Sequence, residues 1–195
     1  MTRIVLASGN HGKVRELEAL LMGSGHEISP QSEFDIGEVE ETGLTFIENA
    51  ILKARHASRH TGLPAIADDS GLEVDALNGA PGIMSARYAG THGADEDNNR
   101  KLLTELAKTA NDERTARFQC AVVFMRHATD AMPLVCTGTW EGRILQEPRG
   151  ANGFGYDPLF YVPSHDCTSA QLAPDVKNRL SHRAQALMKL KKRLT

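Results

Sequence analysis

Apolar positions fall along this chain in two rhythms. Short unbroken runs, Ile4-Val5-Leu6-Ala7, Leu63 to Ala67 and Leu159 to Val162, predict buried strands, since a strand covered on both faces shows no alternation. Other stretches have helical spacing. Val14, Leu17, Leu20 and Leu21 make one stripe, stopped at Gly23 to Gly25; Ile47, Ala50, Ile51 and Ala54 make another. The second stripe opens on the capping-box pattern Thr45-Phe46-Ile47-Glu48 and ends at Gly62-Leu63-Pro64. A helix is predicted over roughly Asp95 to Ala110, with an acidic first turn and Leu102, Leu103 and Leu106 as its apolar face. Leu72 to Ala76 alternates and then turns at Gly79-Ala80-Pro81-Gly82. Arg117 to Met125 and Leu134 to Trp140 read as long strands joined across Ala128-Thr129-Asp130. A last helix carries Leu180, Ala184, Leu187 and Leu194, with Lys189, Lys191, Lys192 and Arg193 toward its C-terminal end. Helices and strands alternate at first and strands dominate later. That order predicts an α/β fold, a mixed sheet with helices packed around it, in one domain spanning 1–195 with at most two lobes around a cleft.

Composition narrows the function classes. An apolar fraction of 41% and a charged fraction of 24% are those of an ordinary globular protein. Net charge is −3 and no basic stretch precedes the last residues, so nucleic acid is not an expected partner, although small anions are. Cys120, Cys136 and Cys167 are too scattered for a disulfide framework or a zinc site. The apolar segment after Met1-Thr2-Arg3 is too short for a signal peptide, and no run reaches membrane-spanning length. A cytoplasmic protein with reduced thiols and no membrane partner is expected.

Candidate chemistry gathers in a few short motifs. Ala67-Asp68-Asp69-Ser70-Gly71-Leu72 places adjacent carboxylates after an apolar run and before a Ser-Gly break. The carboxylates are expected to emerge at a strand end, solvated, hydrogen-bonded or holding a cation; an Asp-Ser-Gly turn is the plain alternative. Ser8-Gly9-Asn10-His11-Gly12-Lys13 lies between a strand and a helix and has the ingredients of a phosphate cradle, without P-loop spacing. Asn49 and Lys53 share a helix face. The acidic group Glu38, Glu40 and Glu41 would suit Mg²⁺ if it folded back onto Asp68 and Asp69, and is otherwise a solvated loop. Gly150 to Pro158 sets Phe154 and Tyr156 among glycines, where an aromatic face can stack on a base and Asp157 can accept hydrogen bonds, or Phe154 can simply plug the core. Lys177 and Ser181-His182-Arg183 gather donors near a helix start. No protease triad order or histidine metal pattern is visible.

Taken together, these motifs carry a resemblance that none carries alone. Ser8-Gly9-Asn10 with Lys13, Thr45-Phe46-x-Glu48-Asn49-Ala50 with Lys53-Ala54, and Ala67 to Leu72 stand in a recognisable order. Gly79-Ala80-Pro81-Gly82 with Ser85-Ala86-Arg87-Tyr88, Gly153 to Pro158, and Ser181-His182-Arg183 complete it. Over essentially the whole chain this resembles the inosine/xanthosine triphosphate pyrophosphatases. The resemblance implies a long central mixed sheet flanked by helices, two lobes with an active-site cleft between them, and a homodimer. It also implies Mg²⁺-dependent hydrolysis of dITP, ITP or XTP to the nucleoside monophosphate and pyrophosphate, which keeps such nucleotides out of DNA and RNA. Carried over by position, Ser8, Gly9, Asn10, His11, Gly12, Lys13 and Lys53 would hold the triphosphate, with no side-chain role assigned to His11. Asp69 would be the general base and a metal ligand, partnered at the metal by Glu40, with Glu41 beside it leaving that register open. Asp68 would support the site and Ser70 touch substrate. Phe154 would stack on the purine, and Gly155, Tyr156, Asp157, Lys177, His182 and Arg183 would line the base pocket. Donors such as Lys177, His182 and Arg183 suit the six-position oxygen of hypoxanthine or xanthine and would face the amino group of adenine unmatched. The rival expectations are a nucleotide sensor without catalysis and a Mg²⁺ phosphohydrolase that releases orthophosphate.

Overall fold

The computed structural model describes residues 2–23, 25–37 and 39–194; Glu38 of the acidic group and the side chain of His11 lie outside it. Strands β1 (Arg3–Leu6), β2 (Glu27–Pro30), β3 (Ala65–Val74), β4 (Thr115–Met125), β5 (Leu134–Ile144), β6 (Phe160–Val162) and β7 (Cys167–Thr168) form one seven-stranded sheet in the order β2-β1-β3-β4-β5-β6-β7. The sheet is mixed. β1 runs parallel to both β2 and β3, with Val5 opposite Ala65 and Leu6 opposite Ile66, whereas β6 is antiparallel to β5 and to β7. Helices α1 (His11–Leu21), α2 (Phe46–Thr61), α3 (Asp95–Glu105), α4 (Pro174–Leu180) and α5 (His182–Leu194) flank it. The chain divides into two compact units: residues 1–69, 120–138 and 182–195 form the first, 70–119 and 139–181 the second.

In the first unit, strand periodicity divides the core in two. Ile4, Leu6 and Ile66 pack with Leu17 and Leu21 of α1 and with Leu187 and Leu190 of α5. Their sequence neighbours Val5, Ala7, Ala65 and Ala67 point to the opposite face and meet Ala50, Ala54 and Ala57 of α2. Both faces are therefore buried, which is why β1 and the start of β3 read as unbroken apolar runs. The alanines let α2 lie close to the sheet. Close approach also fixes β5 against α5, because a Cβ on Gly138 would stand 2.0 Å from the carbonyl oxygen of His182. The second unit has one cluster around Leu72, Leu102, Leu106, Phe118, Trp140, Leu159 and Phe160.

Several elements differ from the sequence expectation. The Asp-Asp run and the alternating segment after it are one strand, β3, so Asp68 and Asp69 lie in its interior and not at its end. The Ser70-Gly71 step does not break it; the Leu72 N–H donates 2.9 Å to Ser85 Oγ and stays satisfied. Ile47 is 39% exposed, on the outer side of α2 rather than in its core stripe. α3 stops at Glu105, short of Ala110. The final helix is two helices, because Ser181 adopts an extended conformation (φ −63°, ψ 155°) between α4, which holds Leu180, and α5. β2 and β7 had no apolar run long enough to announce them.

Candidate active site

Strand alternation decides what the two adjacent carboxylates do. Asp68 continues the row of Leu6 and Ile66 and faces α1 and α5; Asp69 continues the row of Ala65 and Ala67 and faces α2. On the first face, Lys13 Nζ lies 3.2 Å from Asp68 Oδ2 and Arg183 Nε 3.3 Å from the same oxygen. Arg183 also pairs with Glu16 of α1. Burial pushes the Asp68 carboxyl up, but Lys13, Arg183 and Lys53 outweigh it and hold the group well below the usual carboxylate range. Asp68 is a permanent anion.

On the second face, Lys53 Nζ lies 2.7 Å from Glu41 Oε1 and 2.9 Å from Asp69 Oδ1. Asn49, fully buried, donates to Asp69 Oδ2 at 3.4 Å and accepts the Gly43 N–H at 2.8 Å, so one carboxamide ties the loop after Glu41 to the carboxylate. Burial raises the Asp69 carboxyl and the neighbouring Glu41 charge adds to it, against Lys53 and Lys13; the net shift is upward. For Lys53, burial is outweighed by Asp69, Asp68 and Glu41, so its ammonium is held charged. Two consecutive residues thus have oppositely shifted proton affinities, the arrangement by which sites separate a fixed charge from a proton acceptor.

The loop between β1 and α1 is closed on itself. Asn10 caps α1, its Oδ1 accepting the Gly12 and Lys13 N–H groups at 2.9 and 3.0 Å. These are amides an anion at the helix start would use, so a phosphate there would have to displace the Asn10 side chain.

In the second unit, the loop 153–157 winds around Asp157. Its Oδ2 accepts the Phe154 N–H at 2.9 Å and the Lys177 ammonium at 2.7 Å, while Oδ1 accepts the Ser169 hydroxyl at 2.8 Å. Gly153, at φ +80°, is needed here, since a Cβ would stand 2.0 Å from Asp157 Oδ2. Lys177 Nζ lies 5.1 Å from the centroid of the half-buried Phe154 ring. Tyr156 is buried and donates 2.8 Å to the Ser85 carbonyl.

A profile of the Ham1 family matches residues 4–193. The chain belongs to the Ham1 family. It is 61% identical over 190 residues to the dITP/XTP pyrophosphatase of Vibrio cholerae serotype O1, covering 97% of this chain and 95% of that one. It superposes on the HAM1 protein of Coxiella burnetii with a TM-score of 0.92 at 52% identity, covering 100% of this chain and 98% of that one. A nucleoside-triphosphatase / dITP/XTP pyrophosphatase from Mycobacterium abscessus matches with a TM-score of 0.78 at 42% identity, over 96% and 98% of the two chains.

In this Ham1 protein the sequence-predicted residues form two groups. Lys13, Lys53, Asp69, Asp68 and Arg183 meet in the first unit. Phe154, Asp157 and Lys177 meet in the second, with Gly155 and Tyr156 in the same loop. Ser8 is half-buried, and Gly9 and Asn10 are exposed in the β1–α1 loop. Ser70 is half-buried directly after Asp69, and His182 is buried at the start of α5. Of the two acidic registers, Glu41 reaches Lys53, which also holds Asp69, while Glu40 is exposed. The sequence reading missed Glu16, whose signal was an acid on the half-buried side of α1 beside Leu17, and it gave Asn49 only a shared face with Lys53.

Glu41 and Asp69 both reach one ammonium, so their oxygens converge near a single point of positive charge. Such hard oxygen donors fit Mg²⁺. No three acidic, histidine or cysteine side chains among the described residues meet there. A cation would take these two carboxylates and fill its shell with water and phosphate oxygens, a common way of holding Mg²⁺.

Proposed function

We propose that this chain is a nucleoside-triphosphate pyrophosphatase that hydrolyses dITP, ITP and XTP to the monophosphate and pyrophosphate with Mg²⁺. The observation that carries the reading is the split pair on β3, with Asp69 pushed toward proton acceptance beside Lys53 and Glu41. The full-length similarity to proteins named dITP/XTP pyrophosphatase gives that chemistry its substrate.

Chemically, Asp69 accepts a proton from water as its oxygen attacks the α-phosphorus and the bond to the pyrophosphate oxygen breaks. A carboxylate of raised proton affinity is a better base for that step. Lys13 and Lys53 neutralise the triphosphate and the charge growing on the leaving pyrophosphate. Both are already charged and held by carboxylates, so substrate exchanges one anionic partner for another. When bound by Glu41 and Asp69, Mg²⁺ supplies further charge neutralisation and a more acidic water. Phe154 presents a ring face for the purine. Lys177 favours a six-position oxygen over an amino group; a buried unmatched donor costs about 1–3 kcal/mol. Asp157 acts through Phe154 and Lys177, both of which it holds. Cytoplasmic location and a homodimer belong to the same proposal, and sedimentation tests the dimer.

The deciding experiment supplies purified protein with ITP and Mg²⁺, and separately with ATP, and measures pyrophosphate and orthophosphate. Pyrophosphate and IMP from ITP, with ATP nearly untouched, is the expected result. Orthophosphate release makes the protein a broader phosphohydrolase, and binding without turnover makes it a sensor.

A further inference from the structure

Helix α3 holds the backbone next to Phe154 from both sides. Asp95 Oδ2 accepts the Gly155 N–H at 2.7 Å, and Asn99 Nδ2 donates to the Gly155 carbonyl at 2.9 Å. The two residues are four apart and therefore lie on one face of the helix. Their grip is directed. Glu96 and Asp97, in the same acidic first turn, are exposed, as a merely solvated helix start requires, whereas Asp95 and Asn99 are half-buried. Asn99 turns its amide nitrogen to Gly155 although its own Oδ1 is then buried with no hydrogen-bond partner among the described residues. A buried unmatched acceptor is costly, so its presence calls for a physical reason. The helix is itself anchored, with Leu102, and Leu106 directly after its end, fully buried in the second unit's core.

We propose that Asp95 and Asn99 are positioning residues that fix the Phe154 platform for the purine ring, an inference that rests on the base-stacking role of Phe154 proposed above. Gly155 sits at φ +61°, and glycine backbone is otherwise free to move. Clamped at both polar groups, it leaves Phe154 pinned between Gly155 on one side and the Asp157 carboxylate at its own N–H. Ordering of the loop is then completed on folding and is not charged against substrate binding.

The test is a double-mutant cycle on ITP hydrolysis with Mg²⁺, using Asn99→Ala, Asp95→Ala, Asp95→Asn and Phe154→Ala. Asn99→Ala and Asp95→Ala are each expected to raise KM for ITP about 3- to 10-fold, the worth of one hydrogen bond, with kcat changed less than about 2-fold. Asp95→Asn, which keeps an oxygen for the Gly155 N–H, is expected to restore KM. In the Phe154→Ala background, Asn99→Ala is expected to add less than about 2-fold, because the platform it positions is gone. Full multiplicative effects in that background, or an Asp95→Asn as impaired as Asp95→Ala, overturn the clamp. An unchanged KM in Phe154→Ala alone overturns the stacking role itself, which separates the two failures. Should Asn99→Ala not fold, the Asp95 pair decides, together with amide exchange at Gly155, which is expected to quicken in Asp95→Ala and not in Asp95→Asn.

Discussion

Asp68 and Asp69 are chemically identical and one bond apart in sequence, yet they face different helices. Asp68 meets two cations in a buried setting, and removing its charge leaves Arg183 with Glu16 and strands part of a buried ion network. Breaking such a network from one side typically costs about 3–5 kcal/mol. Asp69 is different. Its carboxyl is raised by burial and by Glu41, so its ionised form is less stable in the folded protein than in the unfolded chain. A raised carboxylate adds nothing to stability at neutral pH, and stability from this group rises as pH falls. Asp69→Asn is therefore expected to leave thermal stability in EDTA unchanged or higher while lowering kcat by about 10²- to 10⁴-fold, the usual worth of a positioned base. Asp68→Asn is expected to show a lowered melting temperature. The acid limb of kcat/KM should fall at a pH above the ordinary aspartate value of about 3.9, since the base must be ionised to work. Equal destabilisation by both substitutions, or a near-normal rate for Asp69→Asn, contradicts this division.

The turn between β4 and β5 has its own electrostatic device. Asp130 accepts the Arg126 Nε and Nη2 at 2.8 and 2.6 Å, the Arg126 N–H at 3.1 Å and the Met132 N–H at 3.0 Å. Hydrogen bonds from Arg126 outweigh burial and hold this carboxyl well below its usual range. A depressed carboxylate contributes stability above its unfolded value, about pH 4, and loses it as pH falls toward the folded value. Asp130→Asn is expected to cost about 1 kcal/mol at pH 7, modest because Arg126 is largely exposed, and the gap should narrow by pH 3 in denaturant titrations. A gap that widens on acidification refutes the assignment. The same turn shows what the sequence made legible. Ala128-Thr129-Asp130 announces it because both flanking strands are long and apolar. The capping box at Thr45 is equally plain, with Glu48 N–H donating to Thr45 Oγ1 at 3.2 Å. The edge strand β2 was hidden because Glu27-Ile28-Ser29-Pro30 offers a single large apolar residue and ends in proline. Ser70-Gly71 looked like a break because local turn preference cannot see the Ser85 hydroxyl that satisfies Leu72. For the site, the residue types were readable but the faces were not. Placing Asp68 and Asp69 at a strand end hid the fact that the pleat sends them to opposite sides. Arg183 read only as a donor near a helix start, and its partners Asp68 and Glu16 stayed hidden because they lie far away in sequence.

Across the whole molecule, the backbone passes between the two units after residues 69, 119, 138 and 181. The first of these passages lies inside β3, the next inside β4 and the third inside β5, all within continuous strand. Neither unit is a single segment, so neither can form from an uninterrupted stretch of chain, and the unfolding of one removes the strand continuation of the other. One cooperative transition is the expected consequence. The chain carries its own probes for this. Trp140 is the single tryptophan and is buried in the second unit. Cys120 and Cys136 are buried in the first, and burial followed by the Asp68 charge pushes the Cys120 thiol up to about 12, so it stays unreactive until it is exposed. Cys167 is less buried and is replaced by serine so that it does not contribute. Titrated with urea, tryptophan fluorescence and thiol labelling are expected to share one midpoint. A thiol midpoint at lower urea than the tryptophan midpoint means that the unit holding Asp69 opens while the second core persists, and loss of activity then tracks the thiols. The reverse order means that three shared strands are too little to couple the cores, and the Phe154 loop melts while the carboxylate network stands.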